Sequence, residues 1–139
     1  MDLIAALKAF PKPLEDHTPW RESLWRYKSV VIYPHDGDTW RCLLDFGFGH
    51  YDNRLVRLKD YSARELDEPA DETRMSGYDA WRFVEDLLEP LTPMVLSVDK
   101  SLQLERYVAT CYILHNDEVI DLGPYLLDNG VVKLGKHSS

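Results

Sequence analysis

Cysteine is scarce in this chain: two occur in 139 residues, Cys42 and Cys111. They are far apart in sequence, without the close cysteine spacing of a structural zinc site. Both lie in apolar runs, so we expect two reduced thiols in the core. A disulfide between two strands is the alternative, which the lack of an export signal disfavours.

Long apolar runs are also lacking, because no stretch approaches the ~18 uninterrupted apolar residues that a membrane span requires. The apolar residues among the first ten are preceded by Asp2 and interrupted by Lys8, and no small-residue cleavage site follows them. We therefore read no secretion signal. The sequence predicts a soluble, cytoplasmic protein with no membrane partner.

Positive charge is in deficit, with 16 Lys and Arg against 24 Asp and Glu and a formal net charge of −8. Phosphate backbones attract Lys and Arg, so this balance lowers the expectation of non-specific DNA binding. A small local group of arginines is still compatible with it, because salt screens the distant charges.

Alternation of β-branched and aromatic residues predicts five main strands, and helical spacing of apolar residues predicts two helices. The run from residue 64 to 74 is rich in charge and is expected to be an exposed acidic loop. The strands are predicted at residues 24–33, 39–45, 53–61, 93–98 and 107–114, the helices at 76–90 and 119–129, and a short terminal strand at 131–134.

The order of three strands, helix, two strands and helix favours an α+β fold with a five-stranded OB-type barrel. A length of 139 residues suits one domain with one core. We assign residues 25–139 to that domain. Residues 1–24, with a short helical pattern and the helix breakers Pro11 and Pro13, are expected to form an N-terminal appendage.

Asp38 is the first candidate for chemistry, because it follows a glycine at the mouth of a predicted hairpin. With Asp36 nearby, it places carboxylate oxygens where a hard divalent cation could sit. Asp-Gly turns are common in hairpins for conformational reasons alone, so the turn by itself is weak evidence of a site.

Three further residues are candidates, each with an alternative structural role. Arg57 lies between apolar residues in the third strand and needs a partner: Glu65 or Asp38 in an ion pair, or an anion in a pocket. Glu65 follows that strand, where it could activate a water or be a solvated loop acid. Arg106 opens the fifth strand, where its charge could protect an edge.

These residues occur in an order that resembles the staphylococcal nuclease-like (thermonuclease) family from about residue 27 to 134. The resemblance rests on the turn Asp36-Gly37-Asp38-Thr39, the spacing of eight from Arg57 to Glu65, and the run Arg106-Tyr107-Val108-Ala109. The segment 45–48 is similar to the version of the fold that bacteriophages often carry. The resemblance implies an SNase-like barrel and a nuclease that acts on DNA or RNA. If the protein is encoded by a phage, it would act in the host cytoplasm or in a virion.

The resemblance also implies residue roles. Asp38 with the Ser62 and Ala63 region would hold a divalent cation, by this likeness Ca²⁺. Glu65 would orient or deprotonate the attacking water, and Arg57 and Arg106 would stabilise charge on the phosphorus.

Two departures from the family pattern bear on activity. Where the family reads Ile-Asp-Ala-Pro-Glu, residues 61–65 read Tyr-Ser-Ala-Arg-Glu, so Ser62 replaces a metal-ligating carboxylate and cation affinity should fall. The loop after Glu65 is acidic and would repel a polyanion. The alternative function is therefore a catalytically weakened or inactive OB-type module that binds a protein or nucleic acid. Residues 1–24 are the candidate contact for a protein partner.

Overall fold

The computed structural model describes residues 2–17, 25–99 and 106–135, in which twelve helices and strands follow one another. In chain order these are α1 (Leu3–Lys8), α2 (Lys12–Asp16), β1 (Arg26–Asp36), β2 (Thr39–Gly47), β3 (His50–Leu58), β4 (Tyr61–Ala63), α3 (Gly77–Leu87), β5 (Pro93–Val98), β6 (Arg106–His115), β7 (Glu118–Asp121), α4 (Leu122–Asp128) and β8 (Val132–Leu134).

Five of these strands close into a mixed barrel. The sheet order is β3-β2-β1-β5-β6 with antiparallel neighbours, and β3 pairs parallel with β6 to complete the ring. β7 extends the sheet beyond β6, and β4 forms a separate two-stranded ribbon with β8. The predicted α+β class and five-stranded barrel are confirmed, and the strand order is consistent with an OB-type barrel.

Alternation along the strands separates the barrel interior from its outer face. In β2, Trp40, Cys42 and Leu44 are fully buried, whereas Arg41 between them is partly exposed. Apolar side chains removed from water supply most of the folding free energy, and these residues belong to the central cluster. Cys42 and Cys111 are both buried free thiols, as predicted.

Two predicted elements are confirmed closely. β5 has the expected bounds, and α3 begins after Ser76, whose hydroxyl accepts a hydrogen bond from the Asp79 amide. This N-cap satisfies an amide that the first helical turn leaves without a partner. Ala80 and Val84 on the inner side of α3 are buried in the core, so the helix covers the barrel.

The third strand differs from the prediction at both ends. It starts at His50 and stops at Leu58, because Asp60 adopts a left-handed conformation with φ 68°. Aspartate tolerates that conformation better than most residues, so the chain turns there and resumes as β4. The Asp60 carbonyl accepts a hydrogen bond from the Gly135 amide, which fixes the turn.

The predicted helix over 119–129 is wrong in its first part. Asn116 and Asp117 have φ of 50° and 65°, the geometry of a tight hairpin turn, and residues 118–121 therefore return along β6 as β7. The helix α4 starts only at Leu122, after Asp121 as N-cap accepts from the Gly123 amide.

The N-terminal segment contains a helix that the two prolines were expected to prevent. α2 starts at Lys12 with Pro13 in its first turn, where a missing N–H costs nothing. Leu7 and Leu14 are buried, at 3% and 0% exposure, and the two helices contact β1, β5 and β6. Residues 18–24 lie outside the described part, and a protein partner for residues 1–24 stays a prediction. No helix in the described ranges is long and apolar enough to cross a membrane.

Candidate active site

A cleft of about 360 Å³ opens on the outer face of the barrel. Its walls come from the end of β1, the turn into β2, the end of β3, the end of β4 with the segment after it, and the start of β6. Five of the six predicted site residues line it. These are Asp38, Arg57, Ala63, Glu65 and Arg106.

Strand register explains this convergence. Asp36 pairs with Thr39 across β1 and β2, Thr39 pairs with Arg57 across β2 and β3, and Arg57 pairs with Val108 across β3 and β6. The acidic turn and the arginine therefore lie in one cross-strand row, although about twenty residues separate them in sequence.

Asp38 is 8% exposed, and its carboxylate accepts hydrogen bonds from Thr39 and Ala63 and forms an ion pair with Arg57. The Thr39 hydroxyl donates at 2.9 Å, the Ala63 amide at 2.8 Å, and Arg57 Nη2 lies 3.4 Å from Oδ2. Burial alone would raise the pKa of Asp38, but hydrogen bonds from Asp36 and the Ala63 amide, together with the charge of Arg57, hold it below its ordinary value. Asp38 is thus a buried carboxylate kept ionised by its neighbours.

Asp36 behaves in the opposite way. Its Oδ1 accepts a hydrogen bond from the Asp38 amide at 3.0 Å. Burial is the largest cause that raises the pKa of the Asp36 side chain to about 7, and a side-chain hydrogen bond with Asp38 and the negative charge of Asp38 act in the same direction. Two carboxyl groups this close do not both ionise readily, so the pair holds a proton near neutral pH.

Arg57 is 6% exposed and its guanidinium is held from several sides. Nη1 donates to the carbonyls of Leu58, at 2.7 Å, and Tyr61, while Nη2 pairs with Asp38. Of the partners considered from the sequence, the structure selects Asp38. Burial lowers the pKa of Arg57, the charge of Asp38 opposes this, and Arg106 lies near enough to lower it further.

Ser62, the sixth predicted residue, is placed differently. It pairs with Lys133 in the β4–β8 ribbon, and its hydroxyl lies 3.5 Å from Arg57 Nη2. In the described structure it lies beside Arg57 and does not line the cleft, so its hydroxyl supports the arginine more directly than it addresses Asp38.

Glu65 is exposed at the cleft edge, and its backbone is fixed by the acidic loop that follows. The Glu65 amide donates a hydrogen bond to the Glu68 carboxylate at 3.0 Å. In return, the Glu68 amide donates one to the Glu65 carbonyl at 3.0 Å. Arg64, largely buried, donates to Glu68 at 3.1 Å and pairs with Asp71. The acidic loop is therefore folded and partly neutralised by its own arginine.

Arg106 opens β6 and lines the same cleft as Asp38. It pairs with Leu55 in the parallel β3–β6 ladder, two residues before Val108 pairs with Arg57. The two arginines consequently project from the same outer face of adjoining strands. With Arg64 they give the cleft three guanidinium groups beside the carboxyl groups of Asp36, Asp38 and Glu65.

The sequence matches no protein-family model. A search of curated proteins finds no similar one either. What can be said of the site therefore rests on its geometry and on the residues themselves.

Three cleft residues, His35, Arg64 and Leu66, were not considered as site residues, and Asp36 was considered only as a neighbour of Asp38. His35 and Asp36 come directly before the Gly-Asp turn, so their closeness to Asp38 in the sequence could have indicated them. Arg64 carried one in its sequence position, because it replaces a proline of the resembling family and adds a guanidinium between two candidate site residues. Leu66, 57% exposed, carried no signal.

The donor set fits a weakly held divalent cation better than a tightly held one. In residues 2–17, 25–99 and 106–135, no three His, Cys, Asp or Glu side chains come together as a metal site. Asp36 and Asp38 offer two carboxyl groups, and Ca²⁺ takes ~6–8 oxygen ligands, so carbonyls and water would have to supply the rest. A cation would have to displace the proton that the two acids hold.

Proposed function

We propose that the chain is a staphylococcal nuclease-like, metal-dependent endonuclease that hydrolyses phosphodiester bonds in DNA or RNA. One observation carries the proposal: Asp38, Arg57, Glu65 and Arg106, which lie in separate segments of the sequence, line one cleft. An ion pair that only stabilised the barrel would need Asp38 and Arg57 but would have no use for Glu65 and Arg106.

The roles follow from the chemistry of each group. Asp38 and Asp36 would hold the divalent cation, for which we propose Ca²⁺, and the cation would supply positive charge for the phosphate oxygens. Glu65, at the open edge of the cleft, would accept a proton from the attacking water. Arg57 and Arg106 would donate hydrogen bonds to the phosphate as it gains negative charge.

Local charge supports an anionic substrate despite the net charge of −8. Arg57, Arg64 and Arg106 line the cleft, and two acids of the following loop, Glu68 and Asp71, are paired with Arg64. Paired loop carboxylates repel a polyanion less than free ones do, and salt screens the more distant acids.

A digestion assay tests the proposal with plasmid and single-stranded substrates in calcium, magnesium or chelator. We expect cutting that requires metal and that Glu65→Gln lowers by at least tenfold, since a general base contributes about 10²-fold or more. Glu65 is exposed and held through its backbone, so this variant should fold like the wild type. Metal-independent cutting, or cutting unchanged in Glu65→Gln, would sink the enzyme proposal.

Arg57→Ala is the second variant, and its unfolding must be measured alongside its activity. The substitution leaves Asp38 buried without its cationic partner, which costs about 3–5 kcal/mol in comparable buried pairs. Loss of activity counts for the proposal only at a temperature where circular dichroism shows the variant folded. Arg106→Gln, at a half-buried position, provides the better folded test of arginine function.

The second candidate function is the non-catalytic OB-type module that binds a protein or a nucleic acid. Ser62 favours it, because a hydroxyl stands where the resembling family has a metal-ligating acid and lies beside Arg57, off the cleft wall. Ser62→Asp separates the two: stronger metal-dependent cutting supports a weakened nuclease. If the wild type and Ser62→Asp both bind the oligonucleotide and neither cuts it, the non-catalytic module is supported.

A further inference from the structure

A second row of outward-facing side chains runs beside the cleft. Tyr33 pairs with Arg41 across β1 and β2, Arg41 pairs with Leu55 across β2 and β3, and Leu55 pairs with Arg106 across β3 and β6. The cleft row, from Asp36 through Arg57, is the next row along the same strands. Arg106 belongs to both features, because it ends the second row and lines the cleft.

The end of this row away from Arg106 carries an ordered, exposed aromatic ring. Tyr33 is 45% exposed, and its hydroxyl accepts a hydrogen bond from Arg41 Nε at 3.2 Å. Arg41 Nη1 in turn donates to Asn53 Oδ1 at 2.9 Å. The ring and the guanidinium are therefore held in place before any ligand arrives, which lowers the entropy cost of binding.

The position of Ile32 explains why Tyr33 faces outward. The register of β1 against β2 shifts between Val31 and Tyr33, and it shifts again between Pro34 and Asp36. At each bulge one residue of β1 has no partner on β2. The alternation of inward and outward side chains along β1 is therefore reversed after it. The two bulges thus place Tyr33 and Asp36 on the same outer surface.

We propose that Tyr33 and Arg41 form a subsite for single-stranded nucleic acid, with an unpaired base on the Tyr33 ring and a phosphate at Arg41. The inference rests on the proposed function, since the cleft would hold the scissile phosphodiester and the subsite its neighbouring nucleotides. Neighbouring strands lie ~4.8 Å apart, so the path along the curved sheet from Tyr33 to Arg106 is about 14 Å over three strand steps.

Charge distinguishes this part of the outer face from the opposite end of the same strands. The Tyr33 row contains two arginines and no acid, whereas the corresponding far row pairs Lys28 with Asp45 and Asp45 with Tyr51. An aromatic ring stacks on any base face that is unpaired, and a duplex offers no such face. Single strands are therefore the substrate form that this row fits.

The test measures fluorescence anisotropy of a fluorescein-labelled thymidine decanucleotide, with metal and with chelator, and cleavage of the same oligonucleotide. We expect Tyr33→Ala to weaken binding about tenfold and Tyr33→Phe to keep most of it, because the ring carries the stacking. Arg41→Gln should weaken binding and reduce the slope of its salt dependence by about 0.7, the value of one phosphate contact with a single strand. In the cleavage assay these variants should raise KM with little change in kcat, and duplex cutting should change less.

Tyr51→Ala is the matched control. Tyr51 is 39% exposed on the same face of β3, opposite Asp45, and lies about 20 Å from Arg57 at ~3.4 Å per residue. It should bind the oligonucleotide like the wild type. Equal weakening in Tyr51→Ala and Tyr33→Ala would overturn the subsite.

The outcomes separate the subsite from the proposed function. If the wild type cuts and Tyr33→Ala binds and cuts equally well, the subsite is refuted and the nuclease stands. If the wild type binds without cutting and Tyr33→Ala weakens binding, the subsite stands and the nuclease is refuted. If the wild type neither binds nor cuts in any metal, both are refuted.

Discussion

Asp36 and Asp38 show how two identical side chains, two residues apart, acquire opposite properties. Asp38 receives hydrogen bonds from the Ala63 amide and the Thr39 hydroxyl and faces Arg57, and these contacts favour its ionised form. Asp36 is desolvated and lies against that negative charge, so the protonated form is favoured. The arrangement stores a proton at the position where the proposed function needs a cation.

The raised pKa of Asp36 predicts a pH dependence of stability. Its carboxyl has a pKa of about 7 in the folded protein against 3.8 as the ordinary value. The folded state therefore binds more protons between these values, and this group's contribution to stability is lost as pH rises from about 4 to 7. Asp36→Asn removes this loss. In chelator, the unfolding free energy of the variant minus that of the wild type should therefore increase by about 1–2 kcal/mol from pH 5 to pH 8, a figure that allows for solvent screening.

Urea unfolding at the two pH values measures this difference. Because Asp38 titrates in the opposite direction, the comparison must be between variant and wild type at each pH and not between pH values of one protein. A variant whose unfolding free energy runs parallel to that of the wild type from pH 5 to 8 would show that Asp36 is already ionised.

At the scale of elements, the site depends on how closely the β1–β2 turn approaches β4. A Cβ atom on Gly37 would lie 2.8 Å from the Cβ of Ala63. That contact is too short for carbon atoms, and Ala63 cannot move its Cβ without moving the backbone whose amide binds Asp38. Glycine at position 37 is therefore a requirement of packing between the turn and the ribbon.

Gly37→Ala should destabilise the protein by about 1–3 kcal/mol, the usual cost of an overpacked contact. The clash is specific to Ala63, so adding Gly37→Ala to an Ala63→Gly protein should cost clearly less than adding it to the wild type. Thermal unfolding of the four proteins gives the coupling energy. Additive effects would mean that the strain lies in the turn itself.

Local sequence pattern predicted the elements that one face of apolar residues defines. β2 alternates buried and partly exposed residues, and α3 has a capping Ser76 and an apolar side, so both were predictable. The break at Asp60 and the strand β7 were not, because each depends on left-handed residues and on pairing with β6 or β8, which are distant or later in the chain. Tertiary pairing overrides local propensity in such short segments.

The candidate site shows the same division. Asp38, Arg57, Glu65 and Arg106 were proposed through spacing and resemblance, and the structure brings them to one cleft. Their roles stay predictions. The position of Ser62 beside Arg57 could not be read from sequence, since it depends on the turn at Asp60.

At the scale of the whole molecule, the N-terminal helices are packed against the barrel that bears the cleft. Leu14 is fully buried against strands that lie far from it in sequence, so it contributes to the same cooperative unit. Leu14→Ala should cost about 2–5 kcal/mol, as buried leucine truncations do. Leu134→Ala, at a residue 65% exposed, should change stability by about 0.5 kcal/mol or less.

Chemical denaturation followed by tryptophan fluorescence tests this expectation. A single transition shifted to lower denaturant in Leu14→Ala would show that residues 2–17 unfold with the barrel. An unchanged main transition would instead show that the N-terminal appendage predicted from the sequence does not contribute to the stability of the barrel.

The net charge of −8 and the arginines on the outer face at the cleft act on a nucleic acid over different distances. The Debye length is ~30 Å at 0.01 M salt and ~8 Å at 0.15 M, so the acids of the whole molecule are felt at low salt and only the local arginines at higher salt. We therefore expect oligonucleotide affinity to rise with salt at first, as the repulsion is screened.

Beyond that maximum the affinity should fall with a modest slope. Three arginines of this face, Arg41, Arg57 and Arg106, are the phosphate contacts that we propose. Each contact with a single strand contributes about −0.7 to the slope of log affinity against log salt, which gives a slope of about −2. Anisotropy titrations from 10 to 400 mM salt measure both limbs. A monotonic fall with a slope steeper than about −4 would require more phosphate contacts than this face offers, and would place the binding surface elsewhere on the molecule.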